Sequence, residues 1–189
     1  SDSNHRTFHP MALAHTILTV LANQPSSGYD ISKRFEESVS CFWKASQQQI
    51  YRELAKMERQ GWVSYETIPQ AGKPDKKIYS ATEQGLAELL FWFKEPSEPT
   101  PIREDLLVKV LAGATVSRSL LRQEVLYRRN WHDRQLYHYR EKEALYHNSS
   151  DLPLAEHFRY LTLRRGIRYE QEWIEWCDEV LEFLDRLGD

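Results

Sequence analysis

Three prolines within six residues, Pro96, Pro99 and Pro101 in "KEPSEPTP", constrain this chain more than any other feature. Each removes a backbone donor and biases the residue before it away from helix, so no regular element runs through the segment. The chain is therefore expected to divide into a first part at 1–95, a proline-rich linker at 96–101 and a second part at 102–189. The first ten residues, polar and ahead of a Met, read as a flexible arm or an appended segment.

The first part alternates helical and strand patterns. "MALAHTILTVLANQ" places Leu13, Ile17, Leu18 and Leu21 at helical spacing, and "PSSG" ends it. Ser27 is placed to cap a second helix with Ile31, Phe35 and Val39 on its core side. The third helix opens "KASQQQIYRELAKMERQGW", where Ser46 and Gln49 form a capping box of the S-x-x-Q type and Gly61 supplies a stop. "WVSYETIP" alternates as a strand does, "QAGKPD" is turn chemistry and "KKIYSAT" returns. Thr82 then caps a fourth helix whose inner face is expected to be Leu86, Leu89, Leu90 and Phe93. Three helices, a hairpin and a further helix in this order describe a winged helix-turn-helix.

Charge is distributed unevenly. The formal net charge of −3 argues against nucleic acid when taken whole. Between 40 and 80, however, Lys44, Arg52, Lys56, Arg59, Lys73, Lys76 and Lys77 outnumber Glu53, Glu58, Glu66 and Asp75, while acidic residues are in excess beyond 96. Such asymmetry is expected of a chain that meets an anionic partner through one patch. At about 100° per residue, Ile50, Leu54 and Met57 face inward on the third helix, and Gln48, Arg52 and Arg59 face outward. Glutamine donates and accepts together, which suits an adenine edge, and arginine does the same for guanine. Residues at the start of a recognition helix are those that reach base edges. The expected contact set for double-stranded DNA is Lys44, Ser46, Gln47, Gln48, Gln49, Tyr51, Arg52 and Lys56, with Lys73, Lys76 and Lys77 of the wing on phosphates. Gln49 also has the local task in the capping box.

The second part is helical. "EDLLVKVLAGA" gives a short helix with Leu106, Leu107, Val110 and Leu111 on one side, expected to bridge back to the first part. A long helix follows from Ser117 to about His147, and another runs from about 153 to 187. The last has two apolar stripes. Leu163, Ile167, Ile174, Cys177, Leu181 and Leu184 form one, assigned to the interface of a homodimer; Leu161, Tyr169, Trp173, Trp176, Val180 and Leu187 form the other. A helix of this length exceeds what a small isolated domain buries by itself, so the fold class is mainly α: a winged helix-turn-helix followed by antiparallel, coiled-coil-like long helices that dimerise. A symmetric dimer presents two reading helices to a pseudo-palindromic site. Trp92, Trp131, Tyr169, Trp173 and Trp176 form a candidate pocket for a small aromatic effector.

Other classes find little support. The sequence contains no phosphate-cradling glycine loop, no HExxH and no G-x-S-x-G, so no enzyme, cofactor or metal is expected. Cys41 and Cys177 lack metal-ligand spacing, as do His132 and His138. Apolar runs such as "AELLFWF" are short of a membrane span, so no membrane partner is expected and the location is read as cytoplasmic. An alternative use of the same fold is a winged helix for protein contacts or ligand sensing without direct DNA binding.

"GYDISKRFEESV", "QQIYRELAKMERQGWVSYE" and "GKPDKKIYSATEQGLAEL" together resemble the DNA-binding domain of the PadR family of transcriptional regulators. "REDLLVKVL" and the helical tail resemble the C-terminal domain of the branch typified by virulence gene activators. The resemblance spans nearly all of 11–187 and implies a bacterial, cytoplasmic, dimeric regulator, with some relatives sensing phenolic or drug-like compounds. Many members have proline after the tyrosine of the I-Y-x-x-L pattern, where this chain has Arg52, so their contacts do not transfer to that position.

Overall fold

The structure, a computed structural model, describes residues 13–36, 44–99, 102–147 and 151–187. Val39, Cys41, the N-terminal ten residues and Pro101 lie outside the described residues. The chain divides into two units between Glu98 and Pro99.

In the first unit α1 (Leu13–Asn23) and α2 (Gly28–Arg34) precede α3 (Gln47–Arg59), followed by β2 (Val63–Ile68), β3 (Lys76–Ala81) and α4 (Glu83–Lys94). A further strand, β1 (Ser26–Ser27), pairs antiparallel with β3, so that the sheet order is β1-β3-β2. Local chemistry sets the boundaries. Ser27 Oγ accepts from Asp30 N at 3.1 Å, Ser46 and Gln49 close the capping box, and Thr82 Oγ1 accepts from Gly85 N at 3.0 Å. Gly61 follows α3 with φ +73°, a left-handed conformation that glycine adopts without a Cβ penalty. Thr82 Oγ1 donates to the Gly61 carbonyl at 2.5 Å, which ties the end of the recognition helix to the start of α4.

Ile17, Leu18, Ile31, Ile50, Leu54 and Met57 are fully buried in one core, joined by Phe35, Val63 and Tyr79. Each such side chain contributes about 1.5–3 kcal/mol. This holds α3 by Ile50, Leu54 and Met57 and leaves its opposite face in solvent. His15 of α1 is also buried. Its Nε2 lies 3.3 Å from Glu88 and its ring stacks 4.8 Å from Trp92, fastening α1 to α4.

Helix α4 departs from expectation. Leu89 packs on the core, but Leu86 and Leu90 are exposed and Phe93 is 77% exposed. The sheet and α1 take only one narrow edge of the helix, so its apolar residues outnumber the positions that face the core.

The second unit comprises α5 (Asp105–Leu111), α6 (Arg118–His147) and α7 (Leu154–Leu187). Arg129 with Asp178, His132 with Glu170 and Tyr160 with Glu143 show α6 and α7 running antiparallel, one numbering rising as the other falls. Glu104 caps α5, accepting from Leu106 N at 3.2 Å and pairing with Arg128 of α6 at 2.9 Å. The Arg128 guanidinium holds its carboxyl below the usual range. Leu106 is buried with Leu121, Val125, Cys177, Leu181 and Leu184, and Val110 packs beside them. Leu106 and Val110 of α5 are thus used within this unit, while Leu107 and Leu111 are exposed.

The stripe assigned from sequence to the dimer interface requires correction. Leu163, Ile167, Cys177, Leu181 and Leu184 are buried in the single chain, with Ile174 half-buried among them. They face α6, so they have no surface left to offer a second chain. On the opposite side Leu154, Phe158, Leu161, Tyr169, Phe183 and Leu187 are exposed. At about 100° per residue these fall within a sector of about 80° along the whole helix.

Candidate nucleic-acid interface

The reading face of α3 is built by its inward anchors. With Ile50, Leu54 and Met57 fully buried, helical geometry turns Gln48, Arg52 and Arg59 to solvent, and all three are exposed, as is Gln47. No acidic side chain lies in the first turn. The helix N-terminus therefore presents unpaired amide dipoles and uncharged side chains, an arrangement suited to an anion or a base edge.

Several residues expected in the contact set are engaged locally. Ser46 Oγ accepts from Gln49 N at 3.2 Å and Gln49 Oε1 accepts from Ser46 N at 2.8 Å, so both are committed to the cap. Lys56 Nζ lies 3.4 Å from Glu53, a weak exposed pair that an incoming phosphate can replace. Lys44 is exposed just ahead of the helix.

On the wing the three lysines differ. Lys73 is exposed at the turn beside Gly72, whose φ is +70°. Lys76 Nζ lies 3.1 Å from Asp30 at the first turn of α2, and Ser27 Oγ donates to the same carboxylate at 2.6 Å. The Ser27 hydroxyl, and after it Lys76, hold the Asp30 carboxyl below its ordinary value. Lys76 is thus a strut between wing and α2. Lys77 stands 3.8 Å from the centre of the Tyr65 ring, and the Tyr65 phenol raises the Lys77 ammonium above its usual range.

Sequence reasoning missed the cleft between these elements. It has a volume of about 510 Å³ and is lined by Tyr29 of α2, Tyr51 of α3, and Pro74, Lys77 and Tyr79 of the wing. Burial pushes the Tyr79 phenol up. Gly28 sits against Tyr51 so closely that a Cβ there would lie 2.7 Å from Tyr51 Cζ and overlap Cε1. The dipeptide Gly28-Tyr29 at a helix start was the available signal; its partner ring, 22 positions on, was not visible in one dimension.

The expected effector residues are divided between the units. Trp92 stacks on His15 in the first. In the second, Trp131, Tyr169 and Trp173 surround His132, with Trp173 parallel to it at 5.1 Å, and Trp176 packs edge-on against Trp173. His132 Nδ1 lies 2.5 Å from Glu170 Oε2, both groups buried, and His132 Nε2 has no hydrogen-bond partner among the described residues. Burial pushes the nearby Cys177 thiol up, as expected of an inert thiol. Among the described residues no group of His, Cys, Asp and Glu is arranged to hold a metal, and no helix is long and apolar enough to cross a membrane.

Comparison with known proteins places this geometry. Residues 17–90 match the model of the transcriptional regulator PadR-like family, and residues 102–185 match that of the virulence activator alpha C-terminal domain. A probable transcriptional regulator of Mycobacterium tuberculosis, Rv1176c, is 40% identical, the match covering 92% of this chain and 98% of that protein. The virulence activator AphA of Vibrio cholerae superposes with a TM-score of 0.80 at 36% identity, over 94% of this chain and 100% of AphA. Bacillus subtilis PadR in complex with operator DNA gives 0.83 at 26% identity, over 92% and 99% of the two chains.

Proposed function

This chain belongs to the PadR-like family of transcriptional regulators, and we propose that it reads a pseudo-palindromic operator as a homodimer, with α3 in the major groove and β2-β3 as the wing. The observation that carries the reading is the outward face of α3: Gln47, Gln48 and Arg52 exposed at a helix start free of carboxylates, held from behind by three fully buried anchors. Gln48 and Arg52 read base edges, while Lys44, Lys73 and Arg59 neutralise phosphates. Lys76 keeps the wing in place through Asp30. Bacillus subtilis PadR, solved with operator DNA, supports the use of the fold in this way.

The dimer in this proposal forms through the exposed stripe of α7, which a single chain leaves in water along 34 residues. A regulator acting on the chromosome works in the cytoplasm. In this proposal a small aromatic effector docks against the rings of Trp131, Tyr169, Trp173 and Trp176 around His132.

The division of labour on the reading face is open to test by substitution. Gln48→Ala is expected to relax sequence preference at one position in each half-site, at a cost of about 1–3 kcal/mol on the cognate duplex and little on random DNA. Lys73→Ala is expected to weaken both duplexes alike and to lower the salt slope by about one unit per bound subunit. Anisotropy titrations in which both variants lose equally on both duplexes would refute this assignment.

A further inference from the structure

We propose that the outer face of α7 selects a second copy of this chain by charge: the arginine segment 164–168 of one copy lies on the glutamate segment 172–182 of the other, with the two helices antiparallel. The proposal rests on the dimer reading above and deepens it, by naming what fixes the direction and the identity of the partner.

The outer face is a seam with charges at its middle. Leu154, Phe158, Leu161, Arg165, Arg168 and Glu172 succeed one another at alternating spacings of four and three residues, and Glu179 and Phe183 continue the line. That is the repeat of a coiled-coil surface. At about 100° per residue all of them fall within a sector of about 80°, and all are exposed. Arg164, Glu175 and Glu182, also exposed, stand at its edge. The first half of the face is therefore basic, the second half is acidic, and apolar side chains close both ends.

These charges are not matched within the chain. Among the described residues Arg164, Arg165, Arg168, Glu172, Glu175 and Glu179 form no ion pair. Two of the arginines overlie rings instead, Arg164 Cζ 5.8 Å from the centre of Tyr160 and Arg165 Cζ 5.8 Å from that of Tyr169. On the side facing α6 the pattern is the opposite: Asp178 is held by Arg129 at 2.6 Å and Asp185 by Arg122 at 2.5 Å. Pairing within the chain thus serves the inner face and leaves the outer one unneutralised.

The arrangement complements itself in one direction only. A parallel neighbour would set arginine against arginine and glutamate against glutamate. An antiparallel neighbour, related by a two-fold axis crossing the helix near Gln171, brings Arg165 and Arg168 to the glutamates of the other copy and Phe158 to its Phe183, and the symmetry repeats each contact. Double-stranded DNA fits the basic half but is repelled by the acidic half beside it. A foreign helix would have to carry glutamates and then arginines in the reverse order; α7 read backwards carries them. Charges placed in this way add more to specificity than to affinity.

The test uses the full chain in sedimentation equilibrium, with native mass spectrometry to distinguish homodimers from mixed dimers. The basic half is reversed in Arg165→Glu/Arg168→Glu, the acidic half in Glu172→Arg/Glu179→Arg, and all four positions are exchanged in a fourfold variant. Each residue is exposed, and circular dichroism is expected to show the helix content of the wild type. Either double variant is expected to raise the dimer Kd at least about 100-fold, because like charges then face each other twice. Mixed one to one, the two double variants are expected to form a heterodimer of nearly wild-type affinity. The fourfold variant is expected to dimerise with itself as the wild type does and not to exchange with the wild type.

If the fourfold variant pairs with the wild type and not with itself, the helices run parallel and the proposal is overturned. If every variant dimerises and exchanges freely with the wild type, the charges select nothing and the proposal is overturned while the dimer reading stands. If the wild type itself sediments as a monomer, the dimer reading fails and the proposal falls with it.

Discussion

Replacement of Glu170 by alanine is expected to lower the melting temperature of the helical unit by at least roughly 12 °C. Glu170 and His132 are buried together between α6 and α7, 2.5 Å apart, and the other nitrogen of His132 has no partner among the described residues. Without the carboxylate, neither ring nitrogen is satisfied in a site closed by Trp131, Tyr169 and Trp173. Breaking a buried pair from one side costs about 3–5 kcal/mol, because the remaining polar group stays desolvated. That is a large share of the ~5–15 kcal/mol by which a domain is stable. Arg122→Ala provides the contrast. Its pair with Asp185 at 2.5 Å is exposed on both sides, and its removal is expected to cost less than about 1 kcal/mol. Thermal unfolding followed by circular dichroism distinguishes the two. Equal melting of both variants would show that the pair adds nothing beyond a surface contact.

The second large effect concerns assembly. Phe158 is 61% exposed and Phe183 53% exposed on the outer stripe of α7 in the single chain. Substituting either by aspartate changes no buried contact of the chain itself, so folding is expected to be retained within about 0.5 kcal/mol. In the proposed dimer the same change places a carboxylate in an apolar seam. Analytical ultracentrifugation is expected to show a monomer of 22.4 kDa in place of a dimer. Operator affinity is expected to fall by about 10²–10⁴, since the second half-site is no longer engaged at the high effective concentration that linkage provides. A Phe183→Asp protein that sediments as the wild type does would place the interface elsewhere.

The parts of the fold that were legible in the sequence are those specified by neighbours in the chain. Ser46 and Gln49, three residues apart, define the start of α3 by their own side chains, and Gly61 defines its end through a backbone angle that few other residues adopt. The spacing of Ile50, Leu54 and Met57 likewise fixed which side of α3 turns outward, and with it the candidate reading face. Membership of the PadR-like family followed from runs of local pattern in the same region.

The parts that escaped depend on distant partners. Strand β1 is two serines long, and only its pairing with Tyr79 and Ile78 makes it a strand. The pairing of Lys76 with Asp30, 46 positions earlier, likewise joins residues that no local pattern connects. Both stripes of α7 are apolar enough to be buried. The choice between them was made by α6, which offers Leu121, Val125 and His132 to one face only. The exposed face of α4 escaped for a related reason: periodicity reports which residues share a side, but not how wide a surface awaits them.

The central claim is that α3, presented twice by a symmetric dimer, reads a base sequence. It is tested most directly by incubating the purified full-length protein with a pool of random-sequence duplexes at physiological salt and sequencing those retained. The account predicts enrichment of two inverted half-sites spaced by about one helical turn, lost when Gln48 and Arg52 are both replaced by alanine. A retained pool with the composition of the input, or one enriched equally by the doubly substituted protein, would contradict it.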